Sequence, residues 1–223
     1  MPLVIAHRGA SAVEPENSLA AFRLALAQGA DGIELDVHAT ADGDFAVFHD
    51  PVIGGRHIAE LPLALVRRHR LVNGEPVPTL DEALAAITPE AIAFIEVKSM
   101  PPEADDALLA RLDGAPRPDR CQVHAFDHDL VRRVGRRRPA LPTGVLSEEY
   151  SVDPAAQVRA AGARALWQRA DLIDAPLAAL VREAGYALYA WTVDDPRRMR
   201  ALLETGVDGI CTNRPEVARE VVG

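Results

Sequence analysis

Cysteine is nearly absent from this 223-residue chain: only Cys121 and Cys211 occur, far apart in sequence. Two thiols cannot build the disulfide framework of a small secreted domain, and they are too few for a metal-thiolate site. Both fall in apolar stretches that read as buried strands, so core positions are expected. Long apolar runs are missing too. The opening Met-Pro-Leu-Val-Ile-Ala-His-Arg has an apolar run far shorter than a signal-peptide core and no basic segment before it. No other stretch approaches the roughly 20 apolar residues that cross a bilayer. A soluble cytoplasmic protein without stable membrane anchoring is the expectation. Positive charge is also short: a net charge of -9 opposes broad attraction to nucleic acid or anionic lipid, yet permits a small basic pocket for one phosphate. The basic clusters Arg67-Arg68-His69-Arg70, Arg132-Arg133 and Arg136-Arg137-Arg138 read as solvated helix faces.

What is present suits one domain over 1-223, since 48% hydrophobic residues at this length can bury a real core. Its organisation is a loose repeat of about 20 to 25 residues, in which an Ala/Leu-rich helical stretch ends at Gly and a short apolar strand follows. Copies end at Gly29 before Ile33-Asp36, Gly162 before Ala165-Trp167, Gly185 before Ala187-Trp191, and Gly206 before Gly209-Cys211. Further strands are expected at Leu3-Ala6, Phe45-His49, Ala93-Val97, Cys121-Phe126 and Thr143-Leu146. The alternation fits a (β/α)8 barrel with one strand to spare. The surplus strand is Phe45-His49, because too few residues precede it for a parallel crossover and Asp42-Gly43 signals a hairpin. A two-residue turn there would pair Asp36 with His49 and set Glu34 on the same face. An open doubly wound sheet is the alternative architecture, but no Gly-x-Gly-x-x-Gly follows the first strand.

Ionisable residues crowd the C-terminal strand ends, where barrel enzymes build their sites. His7-Arg8-Gly9 ends the first strand, Glu34 and Asp36 lie on the second, His49-Asp50 closes the hairpin, Glu96 and Lys98 lie on the third barrel strand, and Trp191-Thr192 ends the seventh. Glu34, Asp36 and Glu96 are hard oxygen donors that suit one divalent cation, Mg²⁺ or Ca²⁺. The other explanation of these acids is a salt-bridge network with Arg8 and Lys98. Those two cations also suit a phosphate, Arg8 by bidentate hydrogen bonds and Lys98 as a point charge. His7 and His49 come from distant segments, and such a pair can remove one proton and donate another near neutral pH.

Together His7-Arg8-Gly9, Pro15-Glu16-Asn17-Ser18, Glu34-Leu35-Asp36-Val37 with Asp42-Gly43, His49-Asp50, Glu96-x-Lys98, Trp191-Thr192-Val193 and Thr212-Asn213-Arg214-Pro215 resemble the glycerophosphodiester phosphodiesterases in order and spacing. The resemblance implies a barrel, a divalent cation on Glu34, Asp36 and Glu96, and catalytic His7 and His49. It implies hydrolysis of a small-molecule glycerophosphodiester to an alcohol and sn-glycerol 3-phosphate; passage through a cyclic phosphate, formed by attack of the glycerol 2-hydroxyl, is the mechanistic hypothesis. The stretch from Pro51 to Pro78 is short, as in bacterial cytoplasmic members without a large inserted domain. Trp191 matches the family tryptophan and is expected to wall the glycerol side. The chain departs from the family at Cys121-Gln122-Val123-His124-Ala125-Phe126-Asp127, where Ser-Phe is usual. His124 either replaces the lost hydroxyl at the substrate or merely packs or faces outward. Trp167 either shapes the alcohol pocket or packs in the core. Two rival functions fit the same motifs: a lyase of related fold that releases the cyclic phosphate, and a noncatalytic sensor of phosphate-bearing metabolites.

Overall fold

Successive strand residues point to opposite faces, so a strand that puts Ile33, Leu35 and Val37 against helices must turn Glu34, Asp36 and His38 the other way. That alternation builds both the core and the site. A computed structural model describes residues 1-223. Its strands and helices are β1 (Leu3–His7), α1 (Leu19–Ala27), β2 (Gly32–Ala39), β3 (Phe45–Val47), β4 (Val52–Ile53), β5 (Arg56–His57), α2 (Leu63–Val66), α3 (Leu80–Ile87), β6 (Ile92–Ser99), α4 (Asp105–Asp113), β7 (Cys121–Ala125), α5 (His128–Arg137), β8 (Thr143–Ser147), α6 (Pro154–Ala161), β9 (Ala165–Arg169), α7 (Ala175–Glu183), β10 (Ala187–Trp191), α8 (Pro196–Thr205), β11 (Gly209–Thr212) and α9 (Pro215–Val222). Strands β1, β2, β6, β7, β8, β9, β10 and β11 pair in parallel in that order, and β11 returns to β1. This is the expected (β/α)8 barrel. No helix is long and apolar enough to cross a membrane.

Helix starts follow local chemistry. Ser18 caps α1 by accepting from the Ala21 backbone N–H, and Thr79 with Glu82 forms a capping box before α3. Outward strand residues such as Val4, Ile33, Leu35, Ala93, Ile95, Val123 and Ile210 join the helices in the main core, to which Phe22, Leu84, Leu108 and Val134 contribute. Inward residues Ile5, Phe94, Leu146, Trp167, Tyr189 and Cys211 form a smaller cluster that plugs the barrel. Trp167 fits because Gly144 faces it: a Cβ at Gly144 would lie 2.8 Å from the indole. Cys121 and Cys211 are free thiols and buried, as expected.

The hairpin after β2 exists, but its register differs by one residue from the expectation. Val37 pairs with Val47, His38 with Ala46 and Ala39 with Phe45. The cause is a three-residue loop in place of a two-residue one. Thr40 N–H donates to the Asp44 carbonyl at 2.9 Å, Gly43 N–H donates to the Thr40 carbonyl at 3.0 Å, and Gly43 takes a φ of +77°. Phe48 rather than His49 therefore stands beside Asp36, with Phe48 N–H donating to the Asp36 carbonyl at 3.0 Å. In a continued ladder this slip would turn His49 away from the Asp36 face. The ladder instead ends at Val47, and the bend that follows carries His49 over the barrel mouth.

Residues 51-78 hold the β4-β5 ribbon and α2, whose Ile53, Ile58, Leu63 and Val66 pack with Ala46 and Val77. The Arg67–Arg70 cluster follows α2 rather than lying on a helix face, because the helix stops after four residues, and Arg67 pairs with Glu82 at 2.7 Å. Arg132, Arg133, Arg136 and Arg137 do lie on α5.

Candidate active site

The C-terminal mouth of the barrel holds a cavity of about 230 Å³ lined by His7, Arg8, Glu34, His49, Glu96 and Lys98, together with His124, Trp167 and Trp191. Strand register explains the convergence. His7 is level with Glu34 across β1 and β2, Asp36 is level with Glu96 across β2 and β6, and Glu96 is level with His124 across β6 and β7. The His7-Arg8-Gly9 turn is fixed by its glycine: Gly9 has a φ of +85°, and a Cβ there would sit 2.7 Å from the Ala21 backbone of α1. Arg8 itself has a φ of +56°, which aims its backbone N–H at Glu34 Oε2, 3.1 Å away.

Asp36 is the electrostatic hub. Arg8 Nε lies 2.9 Å from Asp36 Oδ2, Lys98 Nζ lies 3.1 Å from Oδ1, and Asn17 Nδ2 donates to Oδ2 at 2.8 Å. Burial pushes this carboxyl up, but Lys98 and Arg8 outweigh it and hold Asp36 below the usual carboxylate range. Lys98 also pairs with Glu96 at 2.6 Å, and Arg8 with Glu16 at 2.8 Å. Glu34 has no such partner for Oε1, which is buried without a hydrogen bond. Burial, then Asp36 and Glu96, push Glu34 well above its ordinary value. Salt bridges to Arg8 and Lys98 thus absorb Asp36 and part of Glu96, whereas Glu34 Oε1 is left without a partner.

His7 sits in a hydrogen-bond chain. Its Nδ1 is 2.7 Å from Asn213 Oδ1, although the two residues are 206 positions apart. The Asn213 amide is oriented by Asp194: Nδ2 donates to Asp194 Oδ2 at 2.7 Å and the backbone N–H to Oδ1 at 2.8 Å, while Ser11 Oγ donates to Asn213 Oδ1 at 2.8 Å. An acceptor oxygen therefore faces His7, so Nδ1 carries the proton and Nε2 presents its lone pair. Burial, then the Arg8 charge, lower the His7 pKa, which favours the neutral ring. His49 is more open. Its Nδ1 is 2.8 Å from Asp50 Oδ1, and its carbonyl accepts from His38 Nε2 at 2.9 Å. His38 is thus the tether of the His49 bend.

The ten expected site residues do not play equal parts in this geometry. Nine line the cavity, whereas Asp36, 0% exposed, lies behind it among its partners. Trp167, 2% exposed, is the floor, its ring stacked on His124 at 4.3 Å with an 8° interplanar angle. Trp191 meets Phe126 edge-on at 5.7 Å, forming an apolar wall at the rim. Reading the sequence assigned no role to Phe126, His38, Asn213 or Asp194. Asn213 was visible in a motif, and an Asn at a strand end was the available signal.

Known proteins resemble this chain along nearly its whole length. Residues 7–217 match the Glycerophosphoryl diester phosphodiesterase family. The chain is 32% identical to a glycerophosphodiester phosphodiesterase of Caldanaerobacter subterraneus subsp. tengcongensis, covering 99% of this chain and 97% of the relative. A solved Oleispira antarctica phosphodiesterase in complex with the product sn-glycerol-3-phosphate superposes with a TM-score of 0.92 at 25% identity, covering 100% of this chain and 97% of that one. A glycerophosphodiester phosphodiesterase from Parabacteroides distasonis gives 0.89 at 27%, with 99% and 96% covered. With His7, Arg8, Glu34, His49 and Glu96 gathered at one barrel mouth and this likeness running along nearly the whole chain, the protein belongs to the glycerophosphoryl diester phosphodiesterase family.

Proposed function

We propose that this chain hydrolyses glycerophosphodiesters to an alcohol and sn-glycerol 3-phosphate in a two-step reaction run by His7 and His49. The observation that carries the reading is the one cavity shared by both histidines, by Glu34 and Glu96, and by the cations Arg8 and Lys98. Binding of sn-glycerol-3-phosphate by the Oleispira antarctica relative supports the glycerol phosphate half of the substrate. The unpartnered Glu34 Oε1, beside Asp36 and Glu96, fits a divalent cation. Glu34, Asp36 and Glu96 would hold it, as oxygen donors suited to Mg²⁺ or Ca²⁺. Bound there, it would supply Lewis-acid neutralisation of phosphate charge.

Arg8 and Lys98 bind phosphate oxygens from the same side, and the Trp191–Phe126 wall receives the glycerol carbons. His7 Nε2, with its lone pair free, takes the proton of the glycerol 2-hydroxyl as that oxygen attacks phosphorus. His49, its Nδ1 held by Asp50, delivers a proton to the departing alcohol oxygen. The cyclic phosphate is then opened by water, with His49 as base and His7 as acid. The assignment of His7 as first base follows from its Asn213 partner.

Release of glycerol 3-phosphate from glycerophosphocholine, glycerophosphoethanolamine and glycerophosphoglycerol, with several divalent ions, tests the proposal. His49→Ala should lose activity by about 100-fold or more, the usual worth of a general acid. Full activity in that variant would sink the mechanism. Phosphorus NMR separates a lyase, which would accumulate cyclic phosphate and never yield glycerol 3-phosphate. Tight binding without any product would indicate a sensor.

A further inference from the structure

We propose that His124 is a metal ligand, joining Glu34 and Glu96 in a mixed nitrogen-oxygen site that favours Mn²⁺, Co²⁺ or Zn²⁺ over Ca²⁺; this rests on the divalent-cation reading above. One donor atom each from Glu34, Glu96 and His124 lie within 4.8 Å of one another. Two ligands about 2.1 Å from one ion stand at most about 4.2 Å apart, so small side-chain shifts close the set. Two further observations point at a ligand. Glu34 Oε1 and His124 Nδ1 are both buried without a hydrogen-bond partner, on residues 2% and 1% exposed. Buried polar atoms are ordinarily paired, and a cation held between these side chains would answer their unmet polarity.

The placement of His124 is built into the barrel. Its strand position is level with Glu96, and its ring lies flat on Trp167, which is in turn held edge-on by Phe94 at 5.2 Å. Gly144 leaves the space that lets Trp167 serve as that platform. The stack limits rotation of the imidazole while its nitrogens stay in the ring plane, free for coordination. Imidazole suits borderline transition ions, whereas Ca²⁺ takes oxygen donors.

The test uses metal-stripped protein comprising all 223 residues. Titration calorimetry with Mn²⁺, Co²⁺, Zn²⁺, Mg²⁺ and Ca²⁺ ranks affinities, and pulsed EPR of the Mn²⁺ form reports nitrogen bound to the ion. The expected result is a ¹⁴N coupling in the parent that disappears in His124→Gln, with Mn²⁺, Co²⁺ and Zn²⁺ affinity falling at least about tenfold and Ca²⁺ affinity little changed. A bound Mn²⁺ without ¹⁴N coupling, or a coupling that survives in His124→Gln, overturns the His124 assignment while the cation reading stands. Failure to bind any of the five ions, with Glu34→Gln indistinguishable from the parent, overturns the cation reading itself.

Discussion

Asn213→Ala isolates the hydrogen bond that assigns the proton on His7. Asn213 Oδ1 lies 2.7 Å from His7 Nδ1 and is aimed there by Asp194 and Ser11. The ring becomes an imidazolium when it takes a proton from the glycerol hydroxyl, so the bond strengthens as the reaction proceeds. Hydrogen bonds to charged groups contribute about 1.5 to 3 kcal/mol, which corresponds to a loss of roughly 10- to 100-fold in kcat. The pH profile has a determined sign. Burial and Arg8 lower the His7 pKa, and the Asn213 bond opposes them by raising it. Removing that bond lowers the pKa further, so the acid limb of kcat/KM moves to lower pH. Steady-state kinetics from acid to neutral pH, with circular dichroism to confirm folding, measure both effects. A folded variant with kcat within threefold of the parent and an unmoved acid limb would refute the role given to this bond.

Gly9→Ala should destabilise the fold by about 1 to 3 kcal/mol, through a φ of +85° and a Cβ 2.7 Å from the Ala21 backbone; urea unfolding within 0.5 kcal/mol of the parent, taken roughly as experimental scatter, would remove the close approach as the reason for this glycine. Phe126→Ala should raise KM by up to about tenfold, from the 0.5 to 1.5 kcal/mol typical of an aromatic pair, with kcat nearly unchanged. A fall in kcat with KM constant would mean that Phe126 acts in the chemistry instead of walling the substrate.

Much of this protein was legible along the chain. The alternation Ile33-Glu34-Leu35-Asp36-Val37 and Ala93-Phe94-Ile95-Glu96-Val97-Lys98 announced strands whose acids share one face, because period-two patterning is a property of each strand alone. The missing Gly-x-Gly-x-x-Gly, the helix-ending glycines and the Asp42-Gly43 turn together indicated a barrel with a hairpin, and the barrel is what forms. Tertiary structure decided what depends on register between segments. The one-residue shift at Gly43 turned the expected Asp36–His49 pair into a bend tethered by His38, since loop conformation sets register and a composition rule does not. His124 stands level with Glu96 only through the β6–β7 pairing, and stacking on Trp167 fixes its ring. Asn213 reaches His7 only when β11 closes the barrel against β1. Residue types and their faces are written locally in the sequence; which faces meet, and at what level, is set by closure of eight strands around one packed interior.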